Sequence, residues 1–139
     1  MKKVKKRVKY WLPPVLWAGV IFWFSTFPQM RTTEIYWQDF ILKKTAHFME
    51  YGILAMLLYR SFINGRVNKK RSLVYSFILT VLYAVSDEIH QLYTPGRDAR
   101  VRDVLIDSAG ALTVLYWIKQ VLPKANDKIK YYAGKLEII

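Results

Sequence analysis

Four long apolar runs, separated by short charged segments, constrain the fold of this 139-residue chain more than any other feature. The runs cover residues 10–27, 45–62, 72–92 and 101–122. Each run is close to the ~20 residues that a helix needs to cross a bilayer. Within each run the apolar residues are nearly continuous, without the spacing of an amphipathic surface helix. The pattern predicts an all-α, polytopic membrane protein whose four transmembrane helices form an antiparallel bundle.

The segments around the runs complete a single predicted membrane domain over residues 1–139. Residues 1–9 form a basic tail, and residues 123–139 form a second tail that begins at Pro123. Pro13 and Pro14 are placed in the first turn of the first helix, where a missing N–H costs little. Residues 28–44 are predicted as a polar loop with a short interfacial helix near residues 36–42. The basic start also resembles a signal peptide, but residues 25–28 make a poor cleavage site.

The charges divide between the two ends of the predicted bundle. With both termini in the cytoplasm, the inner segments hold sixteen of the 22 lysines and arginines, and the outer end holds eight of the ten acids. Short loops rich in lysine and arginine stay in the cytoplasm, so this orientation is favoured. The predicted location is the plasma membrane, crossed several times.

The net charge of +12 also bears on the partners of the protein. A soluble basic domain would suggest nucleic acid, but the apolar runs make the lipid bilayer the predicted partner, and no nucleic acid is expected. The chain has no cysteine, which excludes disulfides and thiolate metal sites.

Ionisable residues inside the runs gather at the outer end. Spacings of three and four residues put His47 with Glu50 on one helix face, and likewise Asp103 with Asp107. Charged groups in membrane segments are costly and usually mark a working site. The sequence therefore predicts one polar site made by Lys43, Lys44, His47, Glu50, Asp87, Glu88, His90, Gln91, Arg97, Asp103 and Asp107.

Several of these residues also have a purely structural interpretation. His47 with Glu50 could be a satisfied interfacial pair, and Asp103 could cap the fourth helix. Arg97 could be a loop charge that holds lipid phosphate. The segregation of both histidines and all the intramembrane acids to one end favours a site.

The ordered motifs resemble those of the VanZ-like family, which comprises small bacterial membrane proteins. The motifs are Lys44-x-x-His47-x-x-Glu50-Tyr51-Gly52, Asp87-Glu88-x-x-Gln91, Pro95-Gly96-Arg97, Asp103 and Gly110, and the resemblance covers roughly residues 12–122. It implies that the family pattern includes Lys44, His47, Glu50, Asp87, Glu88, Gln91, Arg97 and Asp103. Position 107 is commonly Asn in relatives and is Asp here, which adds a negative charge.

The family is named for a protein linked to resistance to the glycopeptide teicoplanin. The resemblance implies that the site binds or acts on an envelope lipid or a glycopeptide. A contribution to teicoplanin resistance stays a hypothesis, because many relatives lie outside resistance clusters.

Three functions stay open for the site. An enzyme would use Glu50, Asp87, Glu88 or His47 as acid or base. The predicted substrate-binding residues are Lys44, His90, Gln91, Arg97, Asp103 and Asp107, of which Lys44 and Arg97 would clamp phosphate. A binding protein would hold a lipid head group or an amphiphilic glycopeptide without chemistry. Lipid transport is disfavoured because transporters place their site near the bilayer midplane.

No metal site is predicted, and the cofactor is left unknown. Di-metal bundle sites favour Glu-x-x-His on two helices, and this chain has only two histidines. No nucleophile elbow or HExxH motif is present either.

Overall fold

The computed structural model of the chain describes residues 2–27, 36–94 and 100–139, and within these ranges it holds five α-helices and no β-strand. The predicted all-α class is confirmed. The helices are α1 (Lys2–Ser25), α2 (Tyr36–Asn64), α3 (Lys69–Gln91), α4 (Val101–Tyr116) and α5 (Asp127–Lys135). Beyond α4 the helix continues as a π-helical turn, Trp117–Val121, and a 3-10 turn, Leu122–Lys124, which contains Pro123.

Three helices begin earlier than the apolar runs predict, α1 and α2 by more than two turns and α3 by three residues. Pro13 and Pro14 lie well inside α1 and not in its first turn. Since Pro14 has no N–H, the carbonyl of Tyr10 loses its partner within the helix. The Ser61 hydroxyl of α2 donates a hydrogen bond to this carbonyl at 2.6 Å. The backbone defect in α1 is therefore repaired by a side chain of α2, which ties the two helices together.

The second helix starts where a short helix is predicted near residues 36–42, inside the segment predicted as a loop, and it runs on without a break. α2 is continuous over its 29 residues, so Lys44 lies in its third turn and His47 in its fourth, and neither is near its start. An ion pair between Asp39 and Lys43, at 2.8 Å, supports the added turns. Residues 28–35 of the predicted loop lie outside the described residues.

α2 is the central helix of the bundle, and it packs against α1, α3 and α4. Its closest approach is to α4, where a Cβ added at Gly110 would lie only 2.1 Å from the carbonyl oxygen of Phe48. A Cβ added at Gly52 would lie 2.9 Å from Val114. Small residues allow membrane helices to pack backbone against backbone in this way.

The packing of α3 is inverted relative to a soluble protein. Its buried face carries small and polar residues, namely Ser72, Ser76, Thr80, Ala84, Asp87, Glu88 and Gln91. Its exposed face is apolar, with Val74, Tyr75, Ile78, Leu79, Leu82, Val85 and Ile89. An apolar outer face of this extent marks a surface that is covered in the cell.

Two of the described helices are long and apolar enough to cross a membrane. They are α3, with a mean hydropathy of 1.4, and the helix from Val101 to Lys124, with a mean hydropathy of 1.2. Length and composition alone support this assignment.

The C-terminal segment folds back against the first half of α1 and the end of α2. The Glu137 carboxylate accepts hydrogen bonds from Lys9 Nζ at 2.8 Å and from the Tyr10 hydroxyl at 3.2 Å, and it pairs with Arg60. The Glu137 carbonyl oxygen accepts from the Asn64 amide at 2.8 Å. Lys9 and Arg60 lower the pKa of Glu137 to about 2 from its usual value near 4.5.

Candidate functional site

Four carboxylates converge where the first half of α2, the end of α3 and the start of α4 meet. We call Asp87, Glu88, Asp103 and Asp107 the acid cluster. Asp87 and Asp107 are only 3% and 2% exposed. The charges of the other three members all act on Asp107, which places the four groups in one electrostatic neighbourhood. Like charges gathered at low exposure need cations or hydrogen-bond donors to be stable.

Lys44 is the cation closest to the acid cluster in the described part of the chain. Its Nζ lies 2.6 Å from Asp103 Oδ2, and the two side chains are 15% and 14% exposed. Arg102 Nε approaches the other Asp103 oxygen at 3.6 Å from a more exposed position. The Lys44 charge also reaches Glu88 and Asp107. One lysine therefore offsets part of the charge of several acids.

His47 and Tyr51 continue the stripe that Lys44 begins on α2. The three residues follow one another at spacings of three and four, so they share a helix face. His47 Nδ1 lies 3.6 Å from Asp107 Oδ1, which is an ion-pair distance if the imidazole is protonated. The Tyr51 ring stacks on His47 with centroids 6.5 Å apart. Tyr51 is 0% exposed, and its hydroxyl lies within electrostatic reach of Asp87 and Asp107.

The end of α3 is tied to the start of α4 through the acid cluster. The Gln91 side-chain amide donates to Asp87 Oδ2 at 2.8 Å, one turn away on the same helix. The backbone N–H of Arg100, just before α4, donates to Glu88 Oε1. A carboxylate near the C-terminal end of a helix is opposed by the helix dipole. The Gln91 amide and the Arg100 N–H offset this unfavourable interaction by stabilising the carboxylates of Asp87 and Glu88.

Three buried carboxylate oxygens of the site accept no hydrogen bond from the protein among the described residues. They are Asp87 Oδ1, Asp103 Oδ1 and Asp107 Oδ1. Buried polar atoms in folded proteins are nearly always paired. Carboxylate oxygens accept hydrogen bonds when ionised. The site is therefore suited to a group that donates hydrogen bonds.

In the part of the chain that the structure describes, no three histidine, aspartate or glutamate side chains are placed to hold one metal ion.

The structure brings together seven of the eleven predicted site residues: Lys44, His47, Asp87, Glu88, Gln91, Asp103 and Asp107. Lys43 instead pairs with Asp39 of its own helix. His90 instead packs its ring on Phe22 of α1, with centroids 4.4 Å apart. Glu50 is half-buried, and its backbone carbonyl accepts from Trp17 Nε1 of α1 at 2.9 Å. The place of the Glu50 carboxylate in the site stays a prediction. Arg97 lies outside the described residues.

Sequence reasoning missed Tyr51, which it counted within an apolar stretch. A signal was present, because Tyr51 follows His47 by four residues and therefore shares its helix face. The backbone amide of Arg100 had no such signal, since every residue except proline carries the same group.

An all-helical bundle with an apolar outer face, two helices able to cross a membrane and buried acids at one end indicates a membrane protein. The family model of VanZ/LLP1 matches residues 10–122, and the chain belongs to that family. The predicted family is thereby confirmed. No curated protein and no solved structure matches the chain. The matched segment contains the whole acid cluster and leaves out residues 1–9 and 123–139.

Proposed function

We propose that the chain crosses the bacterial plasma membrane four times with both termini in the cytoplasm, and that the acid cluster is an outward-facing binding site. Its ligand is the polar head of an envelope amphiphile, either a lipid or a glycopeptide. The observation that carries the proposal is the set of buried carboxylate oxygens that accept no protein hydrogen bond, at one end of a bundle with an apolar surface.

The charge of the site favours a ligand with ammonium or hydroxyl groups. Four carboxylates face one well-buried cation, Lys44, so the cluster has an excess of acceptors. An ammonium or hydroxyl group would donate to Asp87 and Asp107 and form charge-assisted hydrogen bonds. Lys44, together with the predicted Arg97, would contact any phosphate in the same head group.

The pairing of His47 with Asp107 favours a second candidate, an enzyme that acts on the same head group. A carboxylate can orient an imidazole that then accepts a proton from the substrate or from water. The 3.6 Å separation is longer than a hydrogen bond, and such contacts often tighten only when substrate binds. The buried Tyr51 hydroxyl beside this pair is a further proton donor.

Lipid retention by the purified chain tests the binding proposal. Wild type, Asp87→Asn and Asp107→Asn would be purified in mild detergent, and co-purified amphiphiles identified by mass spectrometry. Asp127→Asn is the control, because it removes an acid from α5, outside the acid cluster. We expect wild type and the control to retain an amine- or hydroxyl-bearing amphiphile that both cluster variants lose. Equal retention by all four proteins would contradict the proposal.

The enzyme candidate needs a separate measurement. Wild type and His47→Gln would be incubated with an extract of envelope lipids, and new products sought by mass spectrometry. An enzyme predicts a product that appears with wild type and is lost in His47→Gln, while the amphiphile is still retained. Retention without product in both proteins would leave binding as the function.

A further inference from the structure

A cavity lies at the end of the bundle opposite the acid cluster. It has a volume of about 270 Å³ and opens between the start of α1 and the end of α2. We call it the inner cavity, and its lining includes Arg7, Tyr10, Trp11, Asn64 and Arg66. Asn64 is twenty residues beyond Lys44 on one continuous helix, which is about 30 Å at 1.5 Å per residue. The inner cavity is therefore separate from the proposed outer site.

The two arginines of the inner cavity are uncommitted, unlike Lys9 and Arg60 at the same end. In the described residues, neither Arg7 nor Arg66 makes an ion pair or a side-chain hydrogen bond. Lys9 and Arg60 are both paired with Glu137. Glu137, the acid that the C-terminal segment brings to this end, is thus already shared by two cations. The guanidinium groups of Arg7 and Arg66 are therefore available to pair with an anion in the cavity.

The backbone at Arg66 adds an independent observation. Its φ is 68°, in the left-handed region that favours glycine. It lies in the turn after α2, where Gly65 N–H donates to the Ser61 carbonyl and Val67 N–H to that of Phe62, at 3.0 and 3.1 Å. A bulky residue held in such a conformation points to a role for its side chain.

One wall of the inner cavity runs into an apolar surface. Trp11 packs edge-on against Phe62 with centroids 5.2 Å apart and is 38% exposed. Its neighbours Val8 and Leu12 on α1 are also exposed. A ligand with both a phosphate and an acyl chain would match the arginines and this surface together.

From these observations we infer that the inner cavity binds the phosphate group of an anionic phospholipid in the cytoplasmic leaflet. Arg7 and Arg66 supply guanidinium groups, which pair with phosphate oxygens in a bidentate manner. The cavity volume corresponds to about nine water molecules at ~30 Å³ each, which is ample for the five heavy atoms of a phosphate. Basic pockets at the cytoplasmic ends of membrane helices bind anionic head groups in this way.

Native mass spectrometry of the detergent-purified full chain tests the inference. The protein would be incubated with equimolar phosphatidylglycerol and phosphatidylcholine. We expect wild type to retain mainly phosphatidylglycerol, and Arg7→Gln/Arg66→Gln to retain it at least tenfold less. The control is Arg71→Gln/Lys128→Gln, which removes the same charge from exposed positions outside the cavity. It should behave as wild type.

Three results would overturn the inference, each in a distinct way. An equal loss in both double variants would show that net charge alone attracts the lipid. No loss in either would exclude the cavity as the site. Displacement of the lipid by millimolar inorganic phosphate would assign the cavity to free phosphate and reject the lipid.

The phosphatidylglycerol experiment on the inner cavity is independent of the amphiphile-retention test of the acid cluster. Asp87→Asn and Asp107→Asn lie at the other end of the bundle and should keep full phosphatidylglycerol retention. Failure of the outer site would therefore leave this result unchanged.

Discussion

Lys44 illustrates how much the stability of the acid cluster depends on one side chain. The change Lys44→Met would leave Asp103, which is 14% exposed, with only the more distant Arg102. Breaking a buried ion pair leaves an uncompensated charge, so we expect a loss of roughly 2–4 kcal/mol in the free energy of unfolding. Titration with sodium dodecyl sulfate, followed by circular dichroism, would measure it.

The matched control for this prediction is Lys44→Met/Asp103→Leu. Removing both charges should restore most of the lost stability, since the Asp103 charge that Lys44 pairs with is removed as well. A double variant as unstable as Lys44→Met would show that packing of the lysine stem, and not its charge, is what matters.

Glu137 provides a prediction for the dependence of stability on pH. Its folded pKa of about 2 lies below its usual 4.5, so its ion pairs contribute fully above pH 4.5. The contribution is lost as pH falls towards 2, where the carboxyl is protonated even in the folded state. The melting temperature of wild type should exceed that of Glu137→Gln at pH 7, and the difference should shrink towards zero near pH 2. A constant difference down to pH 2 would contradict the role of these ion pairs.

At the residue level, helical spacing predicted most of the acid cluster but not the direction of every side chain. Gln91 and His90 follow Asp87 by four and three residues, which puts them on opposite sides of it around the helix. Gln91 turns towards Asp87, whereas His90 turns towards α1 and meets Phe22. Spacing defines a helix face but cannot show which neighbouring helix that face meets.

Among the contacts between helices, the crossing of α2 and α4 leaves the least room for a larger side chain. In Gly110→Ala the new methyl group would collide with the Phe48 carbonyl oxygen, 2.1 Å away, so the helices would have to separate. We expect a loss of about 3 kcal/mol or more in the free energy of unfolding. The separation would also shift Asp107 relative to His47, so amphiphile retention should fall.

Gly19→Ala is the control for this change, because a Cβ at Gly19 meets no atom within 4 Å. It should stabilise α1 by about 0.5–1 kcal/mol, since alanine is the better helix former. Equal destabilisation by both variants would argue against a close crossing at Gly110.

The link between α1 and α2 can be tested with a double-mutant cycle. Ser61→Ala should cost about 1–3 kcal/mol, because the buried Tyr10 carbonyl would have no donor. In Pro14→Ala the restored N–H can bond to that carbonyl within α1, so Ser61→Ala in this background should cost much less. Equal costs in both backgrounds, measured by the same titration, would refute the repair of α1 by Ser61.

At the level of elements, hydropathy predicted that helices are present but not where they begin. Apolar runs report the part of a helix that contacts lipid or the core. The early turns of α2 contain polar residues and are supported by the Asp39–Lys43 ion pair, which hydropathy does not detect. The turns of α1 before Tyr10 are likewise basic. Local polar contacts thus extended helices that the apolar pattern placed later.

For the whole molecule, the proposed orientation is open to direct test because the chain has no cysteine. Asp98→Cys and Asn68→Cys place single thiols in the two opposite connections. A membrane-impermeant maleimide added to intact cells should label position 98 at once and position 68 only after permeabilisation. Labelling in the reverse order would invert the orientation, and with it the assignment of the two sites to leaflets.

The interior between the two ends of the bundle has a consequence for ion conduction. The Ser76 and Thr80 hydroxyl protons are committed to carbonyls of their own helix at 2.6 and 2.8 Å, and the core beyond Tyr51 is filled by apolar groups such as Ala55, Ala111 and Leu115. Among the described residues of α3, the Ser76 and Thr80 protons are therefore held by backbone carbonyls and are not offered to the carboxylates. In the proposed orientation these contacts favour proton exchange between the acid cluster and the outside of the cell.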